Sequence, residues 1–172
     1  MTEIEVKIRI PAVAVLAGKL VGLGATLVKP RASEENTLYD FPSGALRRRR
    51  EALRVRVVGK KCFLTFKGQP QRSRRFKIRE EQETEVRSAG ALRKILKSLG
   101  LRPSVRYHKF RTVYRLGRAK ICLDELSIGH FMEMEGKRSD IVKWAKALGY
   151  GSDAFIKSDY IELLAGGTAG AD

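Results

Sequence analysis

The chain has few of the residues that anchor metals or staple small folds. Its 172 residues include two cysteines and two histidines. Cys62 and Cys122 lie in strand-like runs without metal-ligand spacing, so neither a zinc site nor a disulfide framework is expected. Buried free thiols in a cytoplasmic protein are the simplest reading. No run approaches the roughly 20 apolar residues of a membrane helix, and the chain opens in charged strand sequence without the apolar stretch of a secretory signal. A membrane partner is not expected. The chain also lacks an internal repeat and any linker rich in Pro, Gly or Ser. One domain over 1–165 is therefore expected, followed by a disordered tail at 166–172.

Acidic charge is scarce as well. Nineteen Asp and Glu stand against 35 Lys and Arg, a formal net charge of +16. Such a chain calls for a polyanion among its partners: nucleic acid, anionic lipid or a phosphorylated small molecule. Arg47-Arg48-Arg49-Arg50 and Arg72-Ser73-Arg74-Arg75 resemble nucleic-acid arms. They adjoin strand segments, however, and no helix-turn-helix, zinc-finger or RNP-type motif accompanies them. Nucleic acid is thus a compatible partner but not the favoured one.

What is present is alternation. Glu3, Glu5, Lys7 and Arg9 interleave with Ile4, Val6 and Ile8, the period of a strand with one charged face. Pro11 suits a first helical turn, and Val13, Leu16, Leu20 and Leu23 follow at helical spacing up to Gly22 and Gly24. A second helix is expected over 88–99, with Leu92, Ile95, Leu96 and Leu99 as its apolar stripe. A third is expected over about 139–148. Strands are expected at 37–41, 52–58, 61–67, 75–86, 105–116, 118–126 and 130–136. This is an α+β order dominated by antiparallel strands. Each helix stripe must cover an apolar sheet face, which leaves the charged faces on the other side.

The charged ladder recurs. Arg54 and Arg56 alternate with apolar residues, and Lys67 ends a strand. Glu81, Glu83 and Glu85 form an acidic run, Lys109 and Arg111 flank Phe110, Asp124 follows Leu123, and Glu133 and Glu135 alternate with Met132 and Met134. A solvated sheet face explains any one of these. Taken together, acids two residues apart on one face lie about 6.5–7 Å apart and repel by about 2 kcal/mol at an effective dielectric of 20 unless a cation intervenes. The basic ladders are rich in arginine, whose planar fork matches phosphate. Acid pairs with convergent Arg and Lys suggest a divalent metal bridged to a polyphosphate. Ladders that all face inward imply a closed or nearly closed barrel.

These residues resemble the CYTH superfamily, the triphosphate tunnel metalloenzymes, which takes in class IV adenylyl cyclases, thiamine triphosphatases and inorganic triphosphatases. Glu3-x-Glu5-x-Lys7 is similar to the family's ExExK signature. Ala52-Leu53-Arg54-Val55-Arg56, Phe66-Lys67-Gly68, Glu83-Thr84-Glu85-Val86, Lys109-Phe110-Arg111, Leu123-Asp124, Gly129-His130-Phe131-Met132-Glu133-Met134-Glu135 and Lys157-Ser158-Asp159-Tyr160 follow in family order. The resemblance implies an antiparallel eight-stranded closed β-barrel, a triphosphate tunnel with charged interior, flanked by helices. By position it assigns Glu3, Glu5, Asp124, Glu133 and Glu135 to Mg2+ or Mn2+. It assigns Lys7, Arg54, Arg56, Lys67, Lys109, Arg111 and Lys157 to the phosphates, with Glu3, Glu5 and Lys7 at the catalytic centre. Glu83 and Glu85 would sit near the metals or orient the basic residues. His108 falls on the opposite strand face from Lys109, and His130 sits at a turn.

Three functions follow. A class IV adenylyl cyclase would turn ATP into cyclic AMP and pyrophosphate. A triphosphatase would hydrolyse inorganic triphosphate, thiamine triphosphate or a nucleotide with the same metals. A non-catalytic polyanion- or RNA-binding module would need only the charge. Nothing in the chain marks an adenine pocket, and Tyr39, Phe41, Tyr107 and Phe155 are as readily core. Amphipathic helices and barrel rims permit a homodimer.

Overall fold

The computed structural model describes residues 2–167. In chain order they form β1 (Thr2–Ile10), α1 (Val13–Gly22), β2 (Thr26–Asp40), α2 (Ala45–Arg48), β3 (Ala52–Val58), β4 (Lys61–Lys67), β5 (Lys77–Val86), α3 (Ala89–Ser98), β6 (Arg102–Leu116), β7 (Ala119–Leu126), β8 (Gly129–Glu135), α4 (Arg138–Ala147) and α5 (Tyr160–Gly167), with a 3-10 turn at Ser152–Ala154. The strands close into one barrel in the order β1-β5-β4-β3-β2-β6-β7-β8. The pairings β1–β8, β2–β3, β3–β4, β4–β5, β6–β7 and β7–β8 are antiparallel. This is the helix-flanked, eight-stranded barrel that the alternation and the resemblance imply.

By density of internal contacts the chain forms two compact units. The first is built from Ala32–Arg72 and Ile78–Lys109 with Glu3, the second from Ile4–Arg31, Ser73–Lys77 and the chain from Phe110 onward. The second unit buries Val6, Ile8 and Ile10 of β1 with Ile121, Leu123, Met132 and Met134 of β7 and β8, under Leu16 and Leu20 of α1 and Ile141 and Ala145 of α4. The even residues of β1 and β8 and the odd residues of β7 therefore face helices, and strand geometry turns their neighbours to the opposite face. The first unit repeats this scheme on a smaller scale. Val55 and Cys62 pack with Tyr39, Leu46, Leu92, Leu96 and Leu101.

The helices end as their glycines dictate. Gly24 (φ 84°) and Gly100 (φ 85°) adopt the left-handed conformation that lets Ala25 N–H donate to Leu20 O and Leu101 N–H donate to Leu96 O, each at 2.9 Å. Ser88 Oγ accepts from Ala91 N–H at 3.1 Å, the side-chain cap that starts α3.

Four expectations are corrected. The strand expected at 37–41 is the end of a 15-residue strand, β2. Thr26–Arg31 are all exposed, so no buried period announces that half, and Pro30 reads as a breaker. β6 likewise begins at Arg102, ahead of the expected 105. In α3 the buried stripe is Leu92 and Leu96; Ile95 and Leu99 stand 56% and 64% exposed, because Leu101 beyond the helix fills the core position instead. Finally, the closing segment is a helix that runs to Gly167. The rest of the tail expected at 166–172 lies outside the described residues.

Candidate active site

The second unit gathers its charges around Arg111. β6 and β7 pair Arg111 with Asp124, and β8 places Glu133 beside Lys7 of β1 and Cys122 of β7. Arg111 Nε donates to Asp124 Oδ1 at 2.6 Å, and its Nη2 donates to both Asp124 Oδ2 and Glu133 Oε2. Lys7 Nζ lies 3.3 Å from Glu133 Oε1 and donates to Ser158 O at 3.0 Å. It also stands 4.1 Å above the Tyr160 ring. Tyr160 Oη in turn donates to Asp124 Oδ2 at 2.7 Å. Asp124 is wholly buried.

Such burial is tolerable only because every charge has a partner. Burial pulls the Arg111 guanidinium down, yet Asp124 and Glu133 outweigh it and hold its pKa well above the ordinary value. Burial pushes the Tyr160 phenol up, and the Glu133 and Asp124 charges add to it. The Cys122 thiol is pushed up to about 11 by burial, which keeps it protonated and inert. On the same unit Lys77 Nζ lies 3.6 Å from Glu5 Oε1 and 3.8 Å from Asp159 Oδ2, and Lys120 donates to Glu135 Oε2 at 2.6 Å.

The first unit builds a separate network around Glu83. Its Oε1 accepts from Arg56 Nη2 at 2.8 Å, while its Oε2 accepts from Arg54 Nη2 at 3.4 Å and Thr65 Oγ1 at 2.7 Å. Arg56 Nη1 donates to Glu34 Oε1 at 3.2 Å, and Lys109 Nζ lies 3.8 Å from Glu34 Oε2. Lys67 pairs with Glu81. Burial pushes the Glu81 carboxyl up, but Lys67 and a hydrogen bond with Glu3 outweigh it and leave it below its ordinary value.

Each candidate named from sequence therefore has a place. Asp124, Glu133, Arg111 and Lys7 converge in one cluster. Glu5 sits with Lys77, and Glu135 with Lys120. Glu83 joins Arg54 and Arg56, while Glu3 and Lys67 share Glu81. Lys109, 1% exposed, faces Glu34. Glu85 instead reaches Lys61 at 3.5 Å, both exposed, and Lys157 Nζ donates to Ser73 O at 3.2 Å. His108 contacts Ser33 Oγ at 2.7 Å on an exposed face.

Sequence reading passed over Glu34, Asn36, Thr65, Lys77, Asp159 and Tyr160. Glu34 and Asn36 extend an inward ladder on the second half of β2, just ahead of the expected strand at 37–41, and Lys77 extends the odd-numbered ladder of Glu81 and Glu83. The motif Lys157-Ser158-Asp159-Tyr160 contains Tyr160 but assigns it no role. Its place comes from the closing segment, which Ile156 ties to β1 by a bridge to Lys7.

Among the described residues no three His, Cys, Asp or Glu side chains form a ready metal cage. The donor chemistry still fits a hard divalent cation. Asp124 and Glu133 already converge on a single positive group, and oxygen donors are the ones Mg2+ and Mn2+ take.

Comparison with known proteins finds the same fold. The chain is 29% identical over 174 residues to a Methanocaldococcus jannaschii protein provisionally named an adenylate cyclase, covering 95% of this chain and 98% of that one. A Vibrio parahaemolyticus structure, also provisionally named an adenylate cyclase, superposes with a TM-score of 0.85 at 20% identity, over 96% of this chain and 98% of the other. A Hippeastrum protein described as having a dominant triphosphatase activity shares the fold, with a TM-score of 0.67 at 20% identity over 96% of each chain. The family model for the CYTH domain matches residues 1–150. The chain belongs to the CYTH domain family.

Proposed function

We propose that this protein is a divalent-metal-dependent enzyme of the cytoplasm that processes a triphosphate, with conversion of ATP to cyclic AMP and pyrophosphate as the leading reading. The observation that carries it is the convergence of Asp124 and Glu133 on one cation with Lys7 alongside. A bare acid pair would not persist there without positive charge to balance it.

Asp124, Glu133, Glu5, Glu3 and Glu135 would hold Mg2+ or Mn2+, which supplies Lewis-acid polarisation of phosphate oxygens. Lys7, Arg111, Arg54, Arg56, Lys67, Lys109 and Lys157 neutralise phosphate charge. Such fixed donors stabilise the transition state because they need no reorganisation as charge builds. Glu83 holds Arg54 and Arg56 in place. In the cyclase reaction the ribose 3′-oxygen bonds to the α-phosphorus as the bond to the β-bridging oxygen breaks; pyrophosphate leaves and the hydroxyl proton passes to solvent.

A second reading, hydrolysis of the same class of substrate, draws support from the triphosphatase activity described for the Hippeastrum protein. One incubation separates the two. With Mn2+ or Mg2+ and either ATP or tripolyphosphate, cyclic AMP plus pyrophosphate marks the cyclase, whereas phosphate from tripolyphosphate with no cyclic product marks the triphosphatase. Glu133→Gln should abolish either turnover. Polyanion binding indifferent to EDTA and to Glu133→Gln, with no turnover, would sink the enzymatic reading in favour of a binding module.

A further inference from the structure

The first unit contains two buried acceptors that its own network leaves unmatched. At Glu83 both carboxylate oxygens receive donors. At Glu34, 5% exposed, Oε1 takes Arg56 Nη1, but Oε2 has no hydrogen-bond partner among the described residues. Lys109 Nζ at 3.8 Å lies beyond hydrogen-bond reach of it. Asn36, two residues on along the same face and 1% exposed, has an unmatched Oδ1, and its Nδ2 makes only a long bond of 3.4 Å to Glu34 O. Buried polar atoms without partners are rare and costly, and each calls for a group that completes its bonding.

Phosphate does not complete it, because phosphate oxygens are acceptors too. Nor does a metal ion suit a position flanked by Arg54, Arg56 and Lys109. A neutral hydrogen-bond donor suits it. Asn36 stands in register with Arg56, and Arg56 with Phe63. The Arg56 guanidinium lies 4.8 Å from the Phe63 ring centroid, and Leu38 continues the same face of β2. Phe63, one strand beyond Arg56, thus adds an aromatic ring to the barrel face that carries the two acceptors.

We propose that Glu34 and Asn36, on the face they share with Phe63, form a specificity subsite for the organic part of the substrate: a heteroaromatic ring bearing an exocyclic amine. This rests on the triphosphate reading and deepens it, since inorganic triphosphate has no such group. Adenine and the aminopyrimidine of thiamine share this chemistry. The subsite holds the ring while the arginine and lysine ladders hold the phosphates, so that selectivity and phosphate affinity reside in different side chains.

Calorimetric titration tests this in the full chain. The ligands are α,β-methylene-ATP, the matching purine riboside analogue without the 6-amino group, thiamine triphosphate and tripolyphosphate. Wild type should bind the amine-bearing ligand about tenfold or more tightly than its amine-free counterpart, the scale on which buried polar groups reject a missing partner. Preference for the ATP analogue assigns adenine, and preference for thiamine triphosphate over tripolyphosphate with no nucleotide selectivity assigns the aminopyrimidine. Asn36→Leu should collapse the preference to within about twofold, and Asn36→Asp, which keeps an acceptor, should preserve it. Equal wild-type affinity for all four ligands, or a parallel loss for all four in Asn36→Leu, would overturn the subsite. The wild-type comparison decides even where the leucine variant does not fold. Absence of metal-dependent turnover would remove the enzymatic reading yet leave this comparison to judge the subsite.

Discussion

Arg111 shows how one side chain holds a buried acid pair together. Its fork spans Asp124 and reaches Glu133, while Tyr160 and Lys7 occupy the remaining sides of the two carboxylates. Removing the guanidinium leaves carboxylate charge buried without its partner. Arg111→Met should therefore lower unfolding free energy by about 3–5 kcal/mol, read by urea denaturation, and should abolish metal-dependent turnover. Arg111→Lys keeps the charge but not the planar fork. It should recover part of the stability with little of the activity; full recovery of both would show that charge alone matters. Alternation in the sequence made Arg111, Asp124 and Glu133 legible as inward residues. Nothing in the sequence showed that Tyr160 would seal them.

At the scale of elements, the turn after β2 is held by a single carboxylate. Asp40 Oδ1 accepts from Phe41 N–H at 2.7 Å and Leu46 N–H at 2.9 Å, and its Oδ2 accepts from Arg47 N–H at 3.1 Å. A four-residue helix such as α2 does not persist without tertiary support, and Asp40 supplies it. Burial pushes this carboxyl up, but the three backbone donors with Arg48 outweigh it, so its folded pKa lies below the ordinary value. The stabilisation is thus present above about pH 4, the unfolded value, and is lost as pH falls through the folded one. Asp40→Ala should cost about 1–2 kcal/mol at pH 7. The gap in unfolding midpoint between variant and wild type should narrow below about pH 4. A gap constant from pH 7 to pH 3 would refute the assignment. Elements with a buried period, such as β1, β3, β4 and α1, could be read in advance. The first half of β2 could not, because its exposed side chains follow the strand without recording it.

The whole molecule carries +16, and like charge destabilises a compact state by self-repulsion. Thermal unfolding temperature should therefore rise as NaCl increases from about 20 to 200 mM, where the Debye length shrinks below about 10 Å. Tripolyphosphate should raise it further at matched ionic strength, because a specific ligand binds only the folded chain. No difference between tripolyphosphate and sulfate would argue against a dedicated polyphosphate site.

The sequence by itself determined the face on which each charge lies. Period-two alternation permits only two faces, and helices with one apolar stripe claim one of them. It also determined the family, through the order of its charged ladders from Glu3 to Glu135. Only the tertiary structure decided which charges meet. Pairing register and chain closure are long-range facts with no local period, and they set Asp124 and Glu133 on one guanidinium, brought the closing segment to Lys7, and left Glu34 and Asn36 buried with acceptors to spare.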